Sequence, residues 1–368
     1  MKLDKIEFCG FKSYDSGPHL LSFGNTTVLL GANGAGKSNL ISLFKLIAYG
    51  MSGSLQEYLL KNDANSILHY GSQFTEDFSF SVFLSDDCKK DEYHVTLSFA
   101  KPERLFVSSE RIVYSKQGEN VPFEKKLKGD FELALPKESD ATSRAINALL
   151  KKISVYQFHD TSDTARIKRR CYVDDSSYLR SDAGNLAAFL LRLRESEQYK
   201  KYYDRIVSKI QSVVPQFKDF VLSLMGSGSD YVRLNWIEKN NSNYLFGPHQ
   251  LSDGSIRFMA LTTLLLQPPE LMPSVIIIDE PELGLHPQAI SELASMIKLA
   301  SLNSQVIIAT QSPKLVDEFS VENIVVVEKD ETRDSSVIKR LNAEELQQWI
   351  DEYALSDLWE KNVLGGQP

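Results

Sequence analysis

Residues Gly31 to Ser38 read Gly-Ala-Asn-Gly-Ala-Gly-Lys-Ser, which is a glycine, four residues, then Gly-Lys-Ser. This is the phosphate-binding loop pattern, and it works only between a strand and the start of a helix. Both flanks are present. Val28-Leu29-Leu30 is a short apolar run of strand character, and Ser38-Asn39-Leu40-Ile41-Ser42-Leu43-Phe44 opens a helical pattern. Gly31, Gly34 and Gly36 let the backbone fold tightly enough to aim amide N–H groups inward, and the helix start adds the positive end of its dipole. The motif therefore predicts a bound nucleoside triphosphate with magnesium. Gly31, Ala32, Asn33, Gly34, Ala35 and Gly36 would wrap the phosphates, with Asn39 alongside. Lys37 would reach the β- and γ-phosphates, and Ser38 would ligate the metal.

Two later segments fit the same chemistry. Val275 to Pro281 reads Val-Ile-Ile-Ile-Asp-Glu-Pro, a buried strand that ends in charge. Asp279 is placed to hold the magnesium shell, and Glu280 to orient or deprotonate an attacking water. Leu251-Ser252-Asp253-Gly254-Ser255 leads into a helical pattern from Ile256. Ser252 is a good helix cap and Gly254 leaves backbone amides open, so this is a second phosphate-binding helix end.

The order of these motifs, followed by Ile307-Ile308-Ala309-Thr310-Gln311-Ser312-Pro313, resembles the ABC-type ATPase heads of the RecF, SMC and OLD-like families. The segment at Ser252 looks like their signature motif. Glu282-Leu283-Gly284-Leu285-His286-Pro287 looks like their D-loop, and Gly10-Phe11-Lys12-Ser13-Tyr14 resembles the turn that opens SMC-like heads, bringing Lys12 to the nucleotide. Within this likeness the stand-alone AAA_21-type ATPases of bacterial defence or repair loci are the nearest in pattern. The chain departs from the pattern at the switch position, where Gln311 stands in place of the frequent histidine and cannot titrate. The Q-loop residue that joins the metal is Gln157 or His159, both near the end of an apparent strand.

The resemblance implies an α/β fold: a P-loop ABC-ATPase head with a two-lobed mixed sheet, an antiparallel β-subdomain and a small helical subdomain. It divides the chain into a first lobe over 1–160, a helical subdomain over 161–250, a second lobe over 251–340 and a helical extension over 341–368. Alternating segments at 78–84 and 93–99 read as antiparallel strands, with turns at Asp86-Asp87 and Lys101-Pro102. Residues 115–145 read as a surface hairpin or loop, 182–225 as helices broken at Pro215, and 231–250 as a strand pair around an Asn240-Asn241 turn. No sustained heptads lie between Ser38 and Ser252, so no long coiled coil is expected. The stretch after Asp330 is shorter than a usual domain, so no fused nuclease is expected. It reads as one or two helices carrying Trp349 and Trp359, either a docking element or a helix packed on its own domain.

The 368 residues are 42% hydrophobic and 24% charged, an ordinary soluble composition. No run reaches the roughly 18 apolar residues of a membrane span. The opening Met1 to Phe8 alternates like a strand, unlike a signal peptide. Cys9, Cys88 and Cys171 form neither a disulfide framework nor a zinc pattern, which points to the cytoplasm. A net charge of −8 argues against a protein that coats nucleic acid. Local tracks remain open at Lys125, Lys126 and Lys128, at Lys151-Lys152, and at Arg166, Lys168, Arg169 and Arg170, where a helix would bring Arg166, Arg169 and Arg170 to one face.

By analogy with such heads, the loop and the signature face opposite ways, so two chains head to tail would sandwich two ATP molecules. Gln311 would sense the γ-phosphate, and His286 would cross the interface. Three roles follow from the resemblance: control of a separately encoded effector, such as a nuclease or toxin, in antiviral defence; a RecF-like DNA repair factor; or the nucleotide-binding subunit of a transporter. The expectation of no fused nuclease favours the first.

Overall fold

The computed structural model describes residues 1–368 except 87–88, 102–103, 116–121, 225, 227, 242, 351 and 367–368. A six-stranded central sheet runs Ser335–Arg340, Ile324–Asp330, Thr26–Leu30, Gln305–Thr310, Val275–Asp279, Ile153–Tyr156. The last five strands are parallel, and only the edge pair Ile324–Asp330 with Ser335–Arg340 is antiparallel. Runs of β-branched residues and leucine explain this. Thr26–Leu30, Val275–Asp279 and Gln305–Thr310 are buried at every position, which a parallel sheet covered on both faces requires.

Alternation along these strands feeds two separate cores. Leu29, Ile277, Ile307 and Val325 pack with the helix Lys37–Met51. Val28, Leu30, Ile276, Ile278, Val306 and Ile308 pack with the helix Asp253–Leu266. The two helices therefore cover opposite faces of one sheet.

A second six-stranded sheet, wholly antiparallel, runs His19–Ser22, Lys2–Cys9, Asp77–Ser85, Lys90–Ala100, Arg104–Tyr114, Phe123–Leu127. Its buried face joins the same core as the helix Lys37–Met51. Gln305 ties the two sheets together. Its amide Nε2 donates to the carbonyls of Leu3 (2.8 Å) and Gly24 (3.2 Å), while its Oε1 accepts from the Leu3 N–H at 2.8 Å. The side chain thus completes a strand-like pair of hydrogen bonds between sheets.

Several expectations change. Of the two readings of 115–145, hairpin or loop, the described residues favour the hairpin: Phe123–Leu127 pairs antiparallel with Arg104–Tyr114, while 116–121 lie outside the described residues. The helices Leu186–Glu195 and Lys200–Val213 end ahead of Pro215, and Phe217–Val221 is a strand. Its partner is Asn235–Glu238, so the pair expected around Asn240-Asn241 is reduced to a single bridge between Trp236 and Phe246. Arg166–Lys168 is a short 3-10 turn followed by the strand Cys171–Tyr172, so the basic residues there do not share a helix face. Asp87, Cys88 and Pro102 lie outside the described residues. The longest described helix has 15 residues, and no long coiled coil is present among the described residues. No described helix is long and apolar enough to cross a membrane.

Gln305→Ala leaves a buried N–H and a buried carbonyl of Leu3 without partners. The expected cost is about 3 kcal/mol, read as a lowered urea midpoint. An unchanged midpoint would show that the sheets are joined by apolar packing alone.

Candidate nucleotide site

The parallel register brings the motifs together. Leu30 lies opposite Thr310, Ala309 opposite Asp279, and Ile278 opposite Tyr156. Gly31, Gln311, Glu280 and Gln157 each follow one of these residues, so all four leave the sheet along its carboxyl edge, where open α/β sheets bind ligands.

Steric limits shape the loop. A Cβ on Gly31 would strike the carbonyl of Val327, and Gly36 has φ +119° with the Tyr14 hydroxyl 2.9 Å from where a Cβ would sit. The turn Gly10 to Tyr14 braces the loop from beneath. The buried Tyr14 hydroxyl donates to the Gly36 carbonyl at 3.1 Å, and Asn39 Nδ2 donates to Ser13 Oγ at 2.7 Å. Asn39 is thus engaged with the protein rather than turned outward. Lys37 is only 6% exposed, and its ammonium donates to the carbonyls of Gly31 (2.5 Å) and Ala32 (2.9 Å). Burial pulls its pKa below the ordinary lysine value, opposed by the charges of Glu280, Asp279 and Glu282. Burial lowers Lys12 as well, with the charge of Lys45 adding to it.

Asp279 is buried at its strand end. Its carboxylate accepts from Gln157 Nε2 at 2.9 Å, Gln157 Oε1 accepts from Lys45 Nζ at 2.8 Å, and the His159 ring meets the Asp279 carbonyl at 3.0 Å. Of the two Q-loop candidates, Gln157 faces the carboxylate and His159 the main chain. Glu280 sits at φ +42°, a strained conformation for a side chain of this size, pinned by its N–H to the Ala309 carbonyl at 2.8 Å. Gln311 Nε2 reaches Glu280 Oε1 at 3.3 Å. Glu282 accepts from the Thr310 hydroxyl at 2.5 Å through Oε1, while its buried Oε2 has no partner among the described residues. Burial raises the Glu282 carboxyl pKa above the usual value, and the charge of Glu280 adds to the effect.

The signature segment belongs to the other face. Ser252 caps the helix Asp253–Leu266, its hydroxyl accepting from the Ser255 N–H at 3.2 Å. A Cβ on Gly254 would collide with the Gly284 carbonyl, so signature and D-loop pack backbone to backbone. Asp253 lies 3.7 Å from the buried Lys168 ammonium. One turn on, Arg257 donates to the carbonyls of Phe158 (3.0 Å), His159 (2.8 Å) and Leu283 (2.9 Å). It joins the Gln157 segment, the D-loop and the signature helix. His286 is exposed and caps the helix Pro287–Ala300.

Sequence reading assigns no role to Lys45 or Arg257, no separate role to Glu282 within the D-loop segment, and no contact between the C-terminal segment and the phosphate loop. Two helical turns separate Lys45 from Ser38 on one face, a periodicity that could have found it. Nothing local announces the C-terminal contact, in which the Gly366 carbonyl accepts the loop N–H of Ala32 at 2.8 Å and the Gly366 N–H donates to Glu328 at 2.9 Å. Trp359 and Leu364 are buried beneath it, so that part of the extension packs on its own domain, whereas Trp349 stays exposed.

A family model, AAA_21, described as "AAA domain, putative AbiEii toxin, Type IV TA system", matches residues 26–317. The chain belongs to the AAA_21 family. Solved structures give this AAA_21 chain the fold of an SMC head. One is an SMC head bound to the C-winged helix domain of ScpA, with TM-score 0.61 and 15% identity over 95% of this chain and 100% of that one. A second is an SMC head with an extended coiled coil bound to the C-terminal domain of ScpA, derived from Pyrococcus furiosus, with TM-score 0.59 and 14% identity over 95% and 99%. A third is the SMC head domain of Thermotoga maritima, with TM-score 0.52 and 13% identity over 93% and 100%. No curated protein matches. Family and fold thus agree on an AAA_21 chain with the fold of an SMC head domain.

Gly36→Ala forces a side chain into a left-handed turn against Tyr14. The expected result is an ATP affinity lower by about tenfold or more, matching ~1–3 kcal/mol of backbone strain, in a fluorescent-nucleotide titration. Unchanged affinity would remove the loop from phosphate binding.

Proposed function

We propose that two copies of this chain, head to tail, enclose two ATP molecules and act as a clamp that hydrolysis opens. The observation that supports this reading is the placement of the two candidate phosphate-binding helices. The helix Lys37–Met51 packs on one face of the central sheet and the helix Asp253–Leu266 on the other. On this reading a nucleotide on Gly31 to Ser38 is not capped by its own chain's Ser252, and a second copy supplies the missing half.

In this reading the loop amides and Lys37 hold the β- and γ-phosphates, with Lys12 at the edge of the site. Ser38 and Asp279 are oxygen donors of the kind that magnesium takes, so they fit that ion, and bound magnesium would neutralise the phosphate charge. Glu280 orients the attacking water and accepts its proton, giving ADP and phosphate. Gln311, already hydrogen-bonded to Glu280, fixes that carboxylate and senses the γ-phosphate. Ser252, Asp253, Gly254 and His286 reach the nucleotide of the partner chain. ATP closes the assembly because its γ-phosphate is shared, and hydrolysis reopens it.

The clamp controls a separately encoded effector in antiviral defence. The toxin–antitoxin wording of the AAA_21 description supports this role. The similar SMC heads bound to ScpA domains supply a precedent for a head that carries a second protein. A nucleic-acid track has less support, since Lys168 is buried and Lys125 is held by Glu138 and Asp140, each at 2.6 Å.

Glu280→Gln is expected to bind ATP and remain a dimer in size-resolved mass measurements, while Ser252→Arg added to it returns the chain to a monomer. A Glu280→Gln chain that hydrolyses ATP at the wild-type rate would overturn the assignment of the water-orienting group.

A further inference from the structure

The Lys45–Gln157–Asp279 chain of hydrogen bonds fixes which end of the Gln157 amide faces which neighbour. A lysine ammonium can only donate and an ionised carboxylate can only accept. With Lys45 Nζ 2.8 Å from one amide atom and Asp279 Oδ2 2.9 Å from the other, the oxygen must face Lys45 and the nitrogen must face Asp279. An amide nitrogen is not a ligand for a hard cation, which takes oxygen. Gln157 thus points its non-ligating end at the carboxylate expected to carry magnesium, and its ligating oxygen is held elsewhere.

Lys45 is well placed to impose this. It lies on the helix Lys37–Met51, on the face of Ser38. Its stem is partly buried, and its ammonium sits within electrostatic reach of Asp279. A cation bound between Ser38 and Asp279 meets two obstacles here: the oxygen of Gln157 is engaged, and a fixed positive charge stands nearby.

We propose that Lys45 and the divalent cation are alternative partners of the Gln157 amide oxygen, so that Lys45 sets how much magnesium the site needs before it is loaded. This rests on the reading that Ser38 and Asp279 hold the metal. Lys45 is a positioning residue that acts through Gln157, and it makes nucleotide capture responsive to the concentration of free divalent cation.

The test is the magnesium concentration that half-saturates binding of a fluorescent ATP analogue to the full chain, with a parallel titration in EDTA. Lys45→Met is expected to lower the half-saturating magnesium several-fold while leaving the EDTA affinity unchanged. Lys45→Arg, which can still donate to Gln157, is expected to stay near wild type. Gln157→Leu combined with Lys45→Met is expected to erase the gain. The inference is overturned if Lys45→Met does not shift the magnesium midpoint. It is also overturned if the shift persists in full without Gln157, a pure charge effect, or if affinity falls equally in EDTA, which would make Lys45 a phosphate contact. Magnesium-independent binding by the wild-type chain would instead defeat the underlying metal reading, a separately visible result. Coincident thermal unfolding of all variants guards against misfolding as the cause.

Discussion

Parallel pairing in the central sheet is the constraint on which the site depends. Because Thr26–Leu30, Gln305–Thr310, Val275–Asp279 and Ile153–Tyr156 run the same way in close register, their carboxyl ends deliver the phosphate loop, Gln311, the Asp279-Glu280 pair and Gln157 to one edge. The same pairing buries both faces, and each face claims one helix. The gathering of these motifs at one edge and the placement of the helices Lys37–Met51 and Asp253–Leu266 on opposite faces are thus two consequences of a single topology.

What the sequence could reveal was local. The phosphate loop, the capped helix at Ser252 and the acidic strand end at Asp279 each declare themselves within a few residues, because glycine conformations, capping and burial act over that range. The missing information was long-range pairing. Phe217–Val221 becomes a strand because Asn235–Glu238 lies beside it, though the preceding residues read as helix. Lys168 looked like one member of an exposed basic group, yet it is buried against Asp253, a pairing between distant residues. The resemblance leaves Gln157 and His159 as alternatives, and the contact of Gln157 with the Asp279 carboxylate, like its orientation, depends on residues far away in the chain, Asp279 and Lys45.

The halves are also wired to each other. Arg257, on the helix Asp253–Leu266, holds the carbonyls of Phe158, His159 and Leu283, so it ties that helix to the Gln157 segment and to the turn over 282–287. Under the proposed shared site, this is a path between one chain's Asp279 side and its partner-facing surface. The C-terminal segment touches the start of the phosphate loop through Gly366 and rests on buried Trp359 and Leu364. That segment is therefore fixed to the loop Gly31 to Ser38 rather than free of it.

The most direct measurement of the shared-site account is subunit mixing. Lys37→Ala disables the phosphate loop and Ser252→Arg disables the signature, so each variant alone should lack ATP hydrolysis. When the two are mixed, a heterodimer contains one site in which an intact loop meets an intact signature, and hydrolysis should return. If Ser252→Arg hydrolyses ATP fully by itself, or if two folded variants that still associate show no activity on mixing, the claim that each nucleotide is held by two chains is contradicted.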